Sequence, residues 1–116
     1  MKKNFFRVAA FSALLALGVS GLQAQTRNYD CPPLNPEYKD QAEQVVNLQM
    51  DDPDKAGKVY MALEKKIKKS KEDLVAVGTF FLENNELQGA SQCAKLVYAL
   101  DPTYVPGLMF SAEVFM

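Results

Sequence analysis

From Asn35 onward the apolar residues recur at three- and four-residue spacing, the period that lines one face of an α-helix, and Pro, Asp and Asn clusters break the pattern into five stretches. The first opens with Asn35-Pro36-Glu37: a capping amide, a Pro whose missing N–H costs nothing in a first turn, and an acid favoured by the helix dipole. It predicts a helix to about Met50, with Tyr38, Ala42, Val45 and Val46 as its few apolar positions. Gln41, Gln44, Asn47 and Gln49 make it amide-rich, as expected of a terminal helix. Asp52 and Pro53 repeat the start signal for a second helix, whose stripe is Ala56, Tyr60, Leu63 and Ile67. Lys55, Lys58, Lys65, Lys66, Lys68 and Lys69 fall largely off that stripe, where charge serves solvation and, in the last turn, the helix dipole.

Ser70-Lys71-Glu72-Asp73 has the form of a capping box and opens a third helix, with Leu74, Val77 and Phe81 on one face. Asn84-Asn85 tolerate the left-handed conformation that stops a helix. A fourth helix from about Glu86 to Leu100 carries Ala90, Ala94 and Val97 and ends at Asp101-Pro102. A fifth is expected over residues 105–116. Gly78 and Ala90, small residues on consecutive helices, predict a close approach of the two backbones.

The chain also repeats itself. A shift of 34 residues carries Ala56 to Ala90, Tyr60 to Ala94 and Leu63 to Val97, and carries Leu74, Gly78 and Phe81 forward to Leu108, Ala112 and Phe115. The same shift backward from Leu74, Gly78 and Phe81 lands on Asp40, Gln44 and Asn47, so the first unit keeps the register only in its second helix. The order Leu74, Val77-Gly78, Phe81, Ala90, Ala94, Val97 and a closing Pro102 resembles the tetratricopeptide repeat. The resemblance implies an all-α fold of antiparallel helix hairpins stacked as a right-handed solenoid. It divides residues 36–116 into a degenerate repeat (36–70), a full repeat (71–104) and the first helix of a truncated one (105–116). One hairpin buries few large side chains, each contributing roughly 1.5–3 kcal/mol, so a single repeat is not expected to be stable alone.

What the family implies about function is scaffolding: the first helices of successive repeats line a concave groove that receives a peptide or helix of another protein. In residues 71–104 the groove-side positions are Glu72, Val75, Thr79, Leu82 and Glu83. The paired Lys, Arg and Asn residues with which some members clamp a C-terminal carboxylate are absent. The fifth helix, rich in Leu108, Met109, Phe110, Val114, Phe115 and Met116, lacks a following partner. It implies either that these residues begin a longer array or that the open end self-associates.

Ahead of the helices lie two other segments. Residues 1–24 show Lys2, Lys3 and Arg7, an apolar run from Val8 to Val19, and Leu22-Gln23-Ala24 at a small-residue cut site. This is the three-part pattern of a secretory signal peptide, with a run short for a transmembrane span. Export to the periplasm or beyond, with cleavage near Ala24, is the expectation. Residues 25–35, with Pro32-Pro33, form an extended leader. Of 13 Lys+Arg and 14 Asp+Glu, the signal carries three basic and no acidic residues, which leaves the mature chain at −4 with no basic excess for nucleic acid. Cys31 and Cys93 would then sit in an oxidising compartment, where they can pair; spacing fixes neither their distance nor their geometry.

Chemistry is conspicuous by what is missing. No His is present, no C-x-x-C and no Gly-rich phosphate loop; Gly57, Gly78 and Gly89 are isolated, at expected helix-packing or helix-end positions. Catalysis, cofactors and metal ions are therefore not expected, and a protein or peptide is the expected partner. A second reading is glycan capture on an outer surface, which would need Tyr29, Tyr38, Tyr98 and Tyr104 as stacking platforms.

Overall fold

The computed structural model describes residues 30–116 and folds 36–114 into five helices: α1 (Pro36–Asp51), α2 (Pro53–Ile67), α3 (Lys71–Glu83), α4 (Leu87–Leu100) and α5 (Val105–Val114). No strand occurs among the described residues. The expected signal segment and Tyr29 lie outside them.

Local chemistry sets the boundaries. Asn35 Oδ1 accepts from the Glu37 N–H at 2.9 Å and caps α1. Asp52 is the sole residue between α1 and α2 and serves both. Its N–H donates to the Leu48 carbonyl at 2.8 Å, and its carboxylate accepts from the Lys55 N–H at 3.2 Å. Ser70 Oγ accepts from the Asp73 N–H at 3.2 Å, which is the capping half of the predicted box. At the far end of α3, Asn85 turns left-handed (φ 60°), and the Glu86 N–H reaches back to the Phe81 carbonyl at 2.8 Å. This six-to-one closure satisfies a carbonyl the helix would otherwise orphan. Glu86, expected to begin α4, instead caps it: its carboxylate accepts from the Gly89 N–H at 2.7 Å. The fifth helix is shorter than 105–116, with Phe115 as its C-cap.

Each helix packs on its successor, and α3 also packs on α1 and α5. The connections are a few residues long, so consecutive helices must double back to lie side by side. One core results. α1 supplies Ala42 and Val45, α2 Leu63 and Ile67, α3 Leu74, Val77 and Phe81, α4 Ala90, Cys93, Ala94 and Val97, and α5 Phe110. All of the predicted packing positions on α3 and α4 are buried. Pro102 is the exception; it is exposed and acts as a stop rather than a packing residue.

Gly78 is more crowded than a two-helix contact requires. A β-carbon there would stand 2.9 Å from Cys93 Cβ on α4 and 2.8 Å from Cε2 of Phe110 on α5. The glycine thus seats two neighbours at once. Gly89 likewise faces the Phe81 ring, with 2.8 Å between its notional β-carbon and Cδ2. Gly57 corrects the sequence reading: it lies exposed within α2, and nothing stands within 4 Å of where its β-carbon would be.

Candidate interaction surface

Of the five groove-side positions implied on α3, the structure leaves Glu72 and Glu83 exposed and Leu82 half-buried. Val75 and Thr79 are not groove contacts: Val75 is fully buried and Thr79 is 5% exposed. The reason is geometric. α1, α4 and α5 all pack on α3, so the middle of the helix is covered and only its ends reach solvent. Helical spacing identified the face but not its depth, because depth depends on how closely the flanking helices approach.

A second feature ties this surface together at the start of α3. Lys71 Nζ donates to Asp101 Oδ2 at 2.8 Å and sits 4.9 Å from the centroid of the Tyr104 ring. Asp101 also accepts from the Thr103 hydroxyl at 2.7 Å and the Thr103 N–H at 3.0 Å. The Lys71 bond, helped by those from Thr103, holds the Asp101 carboxyl down at about 2. The same bond raises the Lys71 ammonium above its ordinary value. Burial raises the Tyr104 phenol, and nearby Glu72 adds to the shift. The cluster pins the α4–α5 turn to α3 and so fixes where α5 begins.

Behind α3, the Tyr60 ring of α2 meets Phe81 at 6.0 Å between centroids. The Tyr60 hydroxyl is buried, and burial, then Cys93, raises its pKa. Burial, assisted by the charge of Glu64, pushes the Cys93 thiol up to about 12. Cys93 is fully buried and Cys31 exposed; both thiols are free. A shallow cleft of about 260 Å³ lies over this region, lined by Gln49, Gly57, Tyr60, Glu86, Gln88, Gly89 and Gln92. Its amides offer hydrogen bonds, but its one carboxylate, Glu86, is engaged in capping α4.

The tyrosines considered as sugar platforms are mostly committed elsewhere. Tyr38 and Tyr104 pack partly on the core, and Lys71 occupies one face of Tyr104. Tyr98 is exposed. The α2 lysines lie exposed as expected, although Lys66 bridges to α1, donating to Glu37 Oε2 at 2.9 Å and Gln41 Oε1 at 3.3 Å. Among the described residues no group of three or more His, Cys, Asp or Glu could hold a metal ion, and no helix is long and apolar enough to cross a membrane.

One further surface lies at the end of the helix series. α5 turns Gly107 and Phe110 inward, whereas Leu108 (43% exposed), Ala112 and Phe115 (61% exposed) point away from the body. Those three are the residues that the 34-residue shift equates with Leu74, Gly78 and Phe81, all buried in α3. The equivalence in sequence is therefore met by opposite burial.

No protein-family model, curated protein or solved structure matches the chain.

Proposed function

We propose that this protein is an exported, non-enzymatic helical-repeat scaffold of the tetratricopeptide type that holds other proteins together in the bacterial cell envelope. The observation that carries the reading is the α3–α4 pair, in which Gly78 and Ala90 lie buried and each has a small counterpart 34 residues away, Ala112 and Ala56. Small residues at such a contact let helices nest closely, and stacked nesting pairs present long outer surfaces suited to binding polypeptides. The exposed ends of the α3 face, Glu72 and Glu83, together with the half-buried Leu82, are the contacts expected on one such surface. The charged residues there are acidic, which favours a partner segment with basic residues beside an apolar anchor.

The test is crosslinking in intact cells expressing the full chain, followed by fractionation and mass spectrometry. The expected result is a chain cleaved near Ala24, outside the cytoplasm, and joined to a defined envelope protein. Glu72→Lys combined with Leu82→Arg should reduce that adduct at least tenfold while the helical circular dichroism is unchanged. A chain retained uncleaved in the cytoplasm, or an adduct indifferent to both substitutions, refutes the reading.

A further inference from the structure

The outward face of α2 concentrates charge that the fold itself does not use. Residues 55–69 hold six lysines against one acid, Glu64, in a chain whose formal net charge is −1. α2 packs chiefly on α1, and its apolar stripe, Ala56, Leu63 and Ile67, is buried. On the opposite side Lys55, Lys58, Ala62 and Lys65 follow one another at helical spacing, all exposed. Met61, 62% exposed, lies between Lys58 and Lys65, and Lys68 and Lys69 continue the run past the helix end. Glu64 stands off this face, half-buried and close enough to Tyr60 and Cys93 to raise their pKa values. Of the six lysines only Lys66 has an ion pair among the described residues, with Glu37. Local stability does not account for the arrangement. The helix dipole favours Lys65 and Lys66 in the last turn but disfavours Lys55 in the first. Lys55 and Lys58, like Lys65 and Lys68, are like charges three residues apart, which repel.

We propose that this face docks the protein on an anionic lipid surface, with the lysines over the phosphates and Met61 entering the headgroup region. Charge complementarity drives the contact: clusters of about four to eight basic residues on a helix hold to anionic bilayers, each residue contributing a roughly fivefold gain. Met61 favours a bilayer over a nucleic acid, because hydrocarbon lies just beneath the phosphates, and the lysine stems can lie along the same boundary. α2's apolar stripe belongs to the core, so attachment is peripheral and reversible rather than an insertion of the helix. The surface is separate from the acidic α3 positions, and the inference stands apart from the scaffold reading.

The chain has no Trp, so Met61→Trp sets a single indole reporter in the middle of the face. The full chain carrying it is mixed with vesicles of equal parts phosphatidylglycerol and phosphatidylcholine, or of phosphatidylcholine alone, in about 100 mM salt. With the anionic vesicles the emission should move to shorter wavelength and be quenched by brominated lipid; with the neutral ones it should not change. Lys58→Glu with Lys65→Glu should weaken binding, read from that emission, at least tenfold. Lys39→Glu with Lys95→Glu makes the same charge change at exposed sites on α1 and α4 and should weaken it less than threefold. Raising the salt to about 500 mM should release the chain. All the substituted positions are exposed, and circular dichroism checks the fold; Lys58→Gln with Lys65→Gln serves if the glutamate pair unfolds it. An equal response to neutral vesicles overturns the proposal, as does an equal loss in the two charge variants. Cosedimentation with an unmoved Met61→Trp emission also overturns it, by placing the contact elsewhere, residues 1–24 included. A response to polyglutamate or duplex DNA but not to vesicles would do the same, by assigning the face to a different polyanion.

Discussion

Replacing one hydrogen with a methyl group at Gly78 tests whether α3, α4 and α5 share a single tight junction. In an exposed helix Gly→Ala stabilises by about 0.5–1 kcal/mol, because Ala has less backbone freedom to lose. At Gly78 the new methyl would stand 2.8 Å from Phe110 Cε2 and 2.9 Å from Cys93 Cβ, well inside van der Waals contact. Cys93 Cβ is fixed to the α4 backbone, so the clash cannot be relieved by a rotamer change alone; α4 or α5 must move. Overpacking of this kind costs roughly 1–3 kcal/mol, and more where a rigid ring is displaced, so it outweighs the propensity gain. The net expectation is destabilisation by about 1–2 kcal/mol. With a urea slope of about 1–1.5 kcal/mol/M for a domain of this size, the unfolding midpoint followed at 222 nm should fall by about 1 M. Gly57→Ala is the internal control: with open space around it, the same substitution should raise the midpoint by about 0.5 M. A Gly78→Ala chain as stable as the parent would refute the junction, for it would mean that neither Phe110 nor Cys93 rests on α3.

Other substitutions probe the remaining parts. Phe81→Ala removes a ring buried between Tyr60, Phe80 and Gly89 and should cost about 3–5 kcal/mol, enough in so small a core to abolish the cooperative melting transition. Native-state alkylation at pH 8 followed by mass spectrometry should modify Cys31 rapidly. Cys93, buried and with its thiol pushed up to about 12, should react only after denaturant is added. Asp101 titrates at about 2 in the folded chain against an ordinary 3.8, so its contribution to stability is fully present above about pH 4 and is lost as pH falls toward 2. The urea midpoint of Asp101→Asn should accordingly drop less than that of the parent between pH 5 and pH 2.5; an equal drop would show that the Lys71 contact does not form in solution. Ser70→Ala removes the acceptor for the Asp73 N–H and should cost about 1 kcal/mol, read from the same titration.

The helices and their ends were legible in the amino-acid sequence because both depend on neighbours close along the chain. Asn35, Asp52 and Ser70 cap the helices they were expected to cap, and Asn85 takes the left-handed turn, since each acts on backbone groups within a few residues. The packing face of α3 was legible for the same reason: Leu74, Val77, Gly78 and Phe81 announce one side of a helix by period alone. How deeply the other side lies was not. Val75 and Thr79 are buried where α1, α4 and α5 gather around α3, and the α4–α5 turn is held to α3 by Lys71 reaching Asp101 across 30 residues of sequence. Gly78 and Gly57 look equivalent as letters, yet one is filled by Phe110 and Cys93 while the other faces empty space. Sequence alone determined which residues could share a face, since that follows from helical geometry. Tertiary structure alone decided which faces are covered, because burial is settled by where distant helices come to rest.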